Sequence, residues 1–265
     1  MHASMHASTR AGGPPEGHVV VNSGMSTVIG FPALPTHAPV LVIEAATAAG
    51  SVALLQGEER LASRQVTMGA GMRDGLFPAI EALLHEAAIA PGQLGAVVCG
   101  AGPGSFTSLR IAASLAKGLA HGSGVPLYAV PSLLIAAAAL PEQVQGEFVV
   151  HADALRGERY ALPVHRGPTG AVMSAGPVAR ITVETLRTQT SEAQRVAVLE
   201  SPAALPSAWT VSPDAAGVTQ AMGNWREAPV ELAAWEPQYG RLAEAQVKWE
   251  AAHGHPLPQT ALRGA

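Results

Sequence analysis

Apolar and polar positions change rhythm several times along the chain, and each change marks an element. Apolar runs at Val40–Thr47 ("VLVIEAAT") and Ser51–Gln56 ("SVALLQ") predict two buried strands. The link Ala48-Ala49-Gly50 is short enough for a hairpin, and Arg60–Val66 extends it to a three-strand antiparallel start. A Gly/Met-rich loop, Met68–Gly75, leads to a helix over Leu76–Ile89. There Leu76, Phe77, Ile80, Leu83, Leu84, Ala87 and Ala88 recur at helical spacing, and Pro78 either sits in the first turn or kinks it. Leu94–Ala101 is apolar without alternation, the pattern of a strand covered on both faces. After a glycine-rich turn comes a helix near Thr107–His121, capped by Ser105 or Thr107. A strand at Val125–Val130 and a helix at Ser132–Leu140 follow, so residues 39–140 read β-β-β-α-β-α-β-α.

The second half predicts a strand pair, Gly146–Ala154 and Glu158–Arg166, across a tight link. A helix near Val183–Gln189, a strand at Arg195–Leu199 and a helix near Pro213–Met222 complete it. Residues 1–38, with Met-His-Ala-Ser twice over, are expected to be a disordered extension, and Met25 is a candidate start. Residues 250–265 read as a loose tail.

Composition sharpens this in three ways. Charged residues make up 14% of the 265, well below the roughly 25% usual in soluble domains. Alanine supplies much of the apolar share, so helices can pack closely, and apolar helix faces are left wanting cover by a protein partner. The net charge of −4 argues against a chain that grips nucleic acid alone. The lone Cys99, inside an apolar run, cannot form an internal disulfide and reads as a small core residue. No apolar run reaches the roughly 18 residues of a membrane span, and the N-terminal stretch lacks the apolar core of a secretory signal. A cytoplasmic protein without membrane contact is expected.

The segment Gly102–Arg110, "GPGSFTSLR", invites a phosphate-binding reading that its spacing does not complete. Gly100, Gly102 and Gly104 lack the third glycine of the dinucleotide fingerprint, and no Gly-Lys-Ser/Thr follows. Backbone N–H groups at the helix start can still bind an anion. Alternatively Gly102 and Gly104 serve positive φ and close passage of the chain. The helix after the turn is apolar around about two thirds of its circumference. Ile111, Leu115 and Leu119 form one stripe; Leu109, Ala112, Ala113, Ala116 and Ala120 form a broader, smaller one. One side must meet the sheet, and the other a neighbouring helix or a second molecule. No G-x-S-x-G elbow and no H-E-x-x-H motif occurs. His2, His6, His18, His253 and His255 have nothing in sequence to fix a metal. Asp153, Arg156, Glu158 and Arg159 form either a polar-ligand cluster or a solvated turn with local ion pairs.

Four segments, "LVIEAATAAGSVAL", "GPGSFTSLRIAASLAKGLA", "DALRGERY" (Asp153–Tyr160) and "EPQYGR" (Glu236–Arg241), stand in the order and spacing of a known family. Over about residues 39–245 the chain resembles the bacterial TsaB family, also called YeaZ. The resemblance implies an α/β, actin/Hsp70/sugar-kinase-like fold of two related lobes, placed at 39–143 and 144–249. It implies a non-catalytic subunit for threonylcarbamoylation of adenosine 37 in tRNAs reading codons that begin with A. Such a subunit would support a TsaD-type transferase together with a TsaE-type ATPase, and form a homodimer when alone. It would touch tRNA only through the complex and carry no cofactor, with ATP and metal on the partners.

ATP-using members of the wider fold place an acid followed by small hydroxyl or glycine residues in the first hairpin. The corresponding loop, Glu44-Ala45-Ala46-Thr47, leaves only Thr47 as a side-chain donor and reads as degenerate. The transferase's metal-binding histidine pair has no counterpart at Met72–Leu76. Family members usually carry histidine near Met72, glycine at Ser108 and arginine at Leu155. The expected partner-binding residues are Leu76, Ile80, Leu83, Ser108, Arg110, Ile111, Ala112, Leu115, Ala116 and Leu119. The turn Gly102, Pro103, Gly104 and Ser105 is expected to set their helix for docking. The rival is a nucleotide-hydrolysing or peptidase-like enzyme of the same fold.

Overall fold

The structure, a computed structural model, describes residues 34–68, 75–198, 205–239 and 252–254. Residues 1–33 of the expected extension, the stretch 69–74 containing Met72, and most of the tail lie outside the described residues.

In β1 (Val40–Glu44) every residue is buried, because the strand is covered on both faces. Val40 and Val42 point into a core between two sheets; Leu41 and Ile43 lie under helices on the outer face. The chain continues through β2 (Ala49–Gln56), β3 (Glu59–Thr67), α1 (Leu76–Glu86), β4 (Ala96–Gly100), α2 (Phe106–Ser123), β5 (Leu127–Val130) and α3 (Ser132–Ala138). This is the order expected from the apolar runs. The sheet runs β3-β2-β1-β4-β5, antiparallel through β1 to β3 and parallel from β1 through β4 to β5.

The second sheet repeats that plan. Its strands are β6 (Gly146–Asp153), β7 (Glu158–Arg166), β8 (Val172–Ser174), β9 (Ala179–Thr182), β10 (Arg195–Val198), β11 (Trp209–Val211) and β12 (Ala221–Met222), with α4 (Val183–Gln189) between β9 and β10. An antiparallel β6–β7 hairpin has antiparallel neighbours on one side and parallel β10 and β11 on the other. Two lobes of one topology result, the mixed α/β architecture that the resemblance implied. The division expected at residues 143 and 144 falls in the connection between α3 and β6.

Between the sheets lies α3, all seven of whose residues are buried. Its last carbonyls have no partner within the helix. The buried Arg166 supplies one, donating from Nη1 to Ala137 O (3.2 Å) and Leu140 O (2.7 Å). Outside the first sheet, α1 and α2 cover a large apolar cluster. Outside the second, α4 covers a small one built on Val149, Ala161, Ile181, Leu186 and Leu205. The chain then returns to the first lobe: Val230, Leu232 and Trp235 pack on the outer cluster. Val230 N donates to Leu127 O and Gln238 N to Ala101 O, both at 2.8 Å. No described helix is long and apolar enough to cross a membrane.

Several boundaries differ from expectation. β2 starts at Ala49, so the hairpin link is residues 45–48 rather than Ala48-Ala49-Gly50. α1 stops at Glu86, short of Ile89, and Ala88 turns to φ 53°; Pro78 sits in its first turn. The α-helix expected near Pro213–Met222 is instead a 3-10 turn, Ala215–Thr219, followed by β12. Asp214 Oδ1 holds that turn by accepting from Ala216 N. Gly217 allows close packing, since a Cβ there would lie 3.1 Å from Ala138 Cβ.

Candidate functional site

The glycine turn is built to touch the first hairpin loop. Gly102 has φ +81°, and a Cβ there would lie 2.5 Å from Gln238 O. The Gly102–Pro103 peptide is cis. A Cβ on Gly104 would lie 2.2 Å from Ala46 O, so only glycine lets the two loops approach this closely. Ser105 N donates to Ala46 O at 2.8 Å. Ser105 rather than Thr107 caps α2: its Oγ accepts from Ser108 N (3.5 Å) and Ser108 Oγ (3.0 Å). Two of the N–H groups that an anion would need at this helix start, those of Ser105 and Ser108, are thereby engaged within the chain. The geometry is that of close passage.

Glu44 lies behind this contact, fully buried. Its Oε1 accepts from Ala46 N (2.6 Å) and its Oε2 from Ser132 Oγ (2.8 Å); Ser132 Oγ accepts in turn from Gly102 N (3.1 Å). A Cβ on Gly100 would fall 1.9 Å from Glu44 Oε2, so β4 must end in glycine for the carboxyl to fit. Burial pushes the Glu44 carboxyl up from its ordinary 4.5 to about 7, against the opposing hydrogen bonds from Ala46 and Ser132. Thr47 Oγ1 donates to Ala49 O (2.9 Å), stabilising the hairpin link. Nothing in the sequence pairs Ser132 with an acid 88 residues earlier.

A cleft of about 1200 Å³ opens between the lobes, walled by the Ala46–Ala49 loop, the Pro103–Phe106 turn and, from the second lobe, Asp153, Arg156 and Tyr160. Tyr239 closes one side, its ring 4.6 Å from that of Phe106. Both tyrosines fall in segments that carried the family resemblance. In the Asp153 turn, Leu155, Arg156 and Gly157 all have positive φ. Asp153 Oδ1 accepts from Leu155 N (3.0 Å) and lies 3.5 Å from the buried Arg159 Nη1. Glu158 pairs with Arg180 at 3.6 Å. The four charged residues therefore do not converge on one point. Cys99 is a buried free thiol, pushed up by burial and by Glu44, a core residue rather than a nucleophile.

The ten residues proposed for partner binding divide. Leu76, Ile80, Leu83, Ser108, Ala112 and Ala116 are interior, between 0% and 6% exposed. The alanine stripe faces the sheet because small side chains let the helix approach it closely. That leaves Ile111, Leu115 and Leu119 half-buried along the outward side of α2, with Arg110 exposed and its guanidinium 5.4 Å from the Phe106 ring centre. Phe77 of α1, absent from that set, is 53% exposed on the same layer. Its place in a run of helical apolar spacing hid it.

The family model for TsaD, tRNA N6-adenosine threonylcarbamoyltransferase, matches residues 72–247, more than half of the chain. An uncharacterized protein of Mycobacterium bovis is 30% identical over 78% of this chain and 93% of its own length. YeaZ from Pseudomonas aeruginosa superposes with a TM-score of 0.65 at 27% identity, covering 76% of this chain and 99% of that one. The chain belongs to the TsaB (YeaZ) family. The tRNA threonylcarbamoyladenosine biosynthesis protein TsaB of Haemophilus influenzae is 34% identical over 48% of this chain. This family member spans 54% of that protein's length, and 53% of a 30%-identical uncharacterized relative in Mycobacterium leprae.

Proposed function

We propose that this TsaB-family protein is a non-catalytic subunit in tRNA threonylcarbamoyladenosine biosynthesis. It binds and supports a TsaD-type transferase together with a TsaE-type ATPase, for modification of adenosine 37 in tRNAs reading codons that begin with A. The reading rests on one observation above all. The outward side of α2 keeps three large aliphatic side chains, Ile111, Leu115 and Leu119, only half covered by the chain itself. Such a stripe is the apolar centre a helix-to-helix interface needs. The inward-turned Glu44 lends support, since both carboxyl oxygens are engaged by the protein and neither faces the cleft. In this reading ATP and metal belong to the partners, tRNA is met only through the complex, and the setting is the cytoplasm. The same face closes a homodimer when the partner is absent.

Size exclusion with light scattering, on the chain alone and mixed with the transferase of the same organism, tests this directly. A homodimer exchanging for a one-to-one complex is the expected result. Leu115→Arg keeps the thermal midpoint within a few degrees yet weakens the complex at least tenfold. An unchanged complex in that variant would remove α2 as the docking element.

A second reading, a nucleotide-hydrolysing or peptidase-like enzyme, draws on the interlobe cleft and its Thr47 and Ser105 hydroxyls. A solved Pseudomonas aeruginosa relative (28% identical, TM-score 0.65, covering 77% of this chain) is described as having similarity to peptidase YEAZ. ATP or peptide turnover by the isolated chain would favour it.

A further inference from the structure

Glu44 joins three segments that are far apart in sequence. Through Ala46 it holds the first hairpin loop, and through Ser132 the start of α3; Ser132 then reaches Gly102 in the glycine turn. The turn is tied back to the same loop by Ser105 N, and to α3 by Ser132 N donating to Gly102 O (3.0 Å). The carboxyl is therefore the common node of the wall from which α2 starts. Among the described residues, none of the causes acting on this carboxyl is a neighbouring cation. β4 contributes Cys99 and Gly100, β2 contributes Ser51 opposite it, and α3 contributes Ser132. The 3-10 turn against β1 contributes Asp214, which is itself bound to Gln65 Nε2 at 3.1 Å. An ionised carboxylate here keeps its hydrogen bonds but loses water and gains no positive partner among the described residues, an arrangement in which burial favours the neutral form.

We propose that Glu44 is a positioning residue with a proton-dependent latch action: protonated, it locks the hairpin loop, the glycine turn and α3 together, and its ionisation loosens the turn that sets α2. The neutral acid keeps the observed contacts, Oε1 accepting from Ala46 N and Oε2 accepting from Ser132 Oγ. A carboxylate forced to ionise there draws in water and opposes the close contact of the two loops. The consequence for docking, weaker partner binding as Glu44 ionises, rests on the function proposed above; the latch itself does not.

Linkage sets the direction of the test. The folded protein holds this proton up to about pH 7 and the unfolded chain only to its ordinary 4.5. Between those values the folded state carries one proton more, so this group's contribution to stability falls as pH rises and levels off above 7. The experiment compares thermal midpoints of the full chain and of Glu44→Gln from pH 4.5 to 8.5, with amide exchange at Ser105 corrected for intrinsic rate. The expected result is a wild-type midpoint that drops relative to Glu44→Gln across pH 5–7. Ser105 protection should also fall at high pH in the wild type alone. Ser132→Ala, which removes a hydrogen bond to the carboxyl, shifts the drop to higher pH and serves if Glu44→Gln does not fold. Parallel pH curves for wild type and Glu44→Gln, or an unshifted curve for Ser132→Ala, would overturn the latch. Complex formation with the transferase, measured across the same range, is expected to weaken above pH 7 in the wild type only. Absence of a complex at every pH would count against the proposed function while the thermal curves still judged the latch.

Discussion

Each lobe ends the first strand of its opening hairpin on an acid, Glu44 on β1 and Asp153 on β6, and the two are treated oppositely. Glu44 is fully buried, satisfied by Ala46 N and Ser132 Oγ, with no cation paired to it among the described residues. The Asp153 side chain is 42% exposed at the rim of the cleft and loosely paired with Arg159. One topology thus yields an internal tie in the first lobe and a solvated turn in the second. The outer faces differ in the same sense. Among the described residues, the first lobe carries helices of 11 and 18 residues over a broad cluster, and the second a helix of 7 over five buried residues. The lobe that presents the α2 surface is also the one whose interior is most tightly specified. On the function proposed above, α2 docks a partner; such a helix needs a rigid backing, and the close contacts of Gly100, Gly102 and Gly104 supply it.

The comparison can be broken first at its strongest point. Ala116, fully buried between α2 and the sheet, becomes an unpaired buried charge in Ala116→Arg. A loss of more than about 4 kcal/mol is expected, seen as loss of the cooperative unfolding transition in circular dichroism. Next comes a pair of glycines, Gly100 at the end of β4 and Gly157 in the turn between β6 and β7. Gly100→Ala drives a methyl into Glu44 Oε2 and is expected to cost about 3 kcal/mol in urea unfolding. Gly157→Ala in the second lobe meets nothing within 4 Å and bears only the strain of φ +77°, about 1 kcal/mol. Equal costs would mean that the first lobe is no more closely fitted than the second. The smallest effect belongs to Asp153→Asn: its 3.5 Å pair joins a 42%-exposed carboxylate to the buried Arg159, a loss of about 1 kcal/mol or less is expected, and added salt should narrow the difference.

Long apolar runs made the first lobe legible from the sequence, and its β-β-β-α-β-α-β-α order stands. The strands β8, β9, β11 and β12 did not register, because two to four residues are too few for a period to show. On α2 the sequence displays two apolar stripes but not which one faces the sheet. Close packing decides that, and it takes the alanines, so part of the expected docking set lies in the core. The sequence places Glu44 and Thr47 in the first hairpin loop, whereas the inward aim of Glu44 depends on Gly100 and Ser132, brought to it only by the fold. Tyr239 and Phe106 sit 133 positions apart, and their meeting at the cleft is likewise a product of the chain's return.

That return has a consequence for how the protein is made. Val230, Leu232 and Trp235 complete the outer cluster of the first lobe, and Gln238 closes the last hydrogen bond on Ala101 beside the glycine turn. During synthesis the first lobe emerges early, yet its flank stays open until residues 230–238 have cleared the ribosome. The half of the molecule that is translated first is therefore finished last. Until then the aliphatic side of α2 and the turn that aims it lack their final supports.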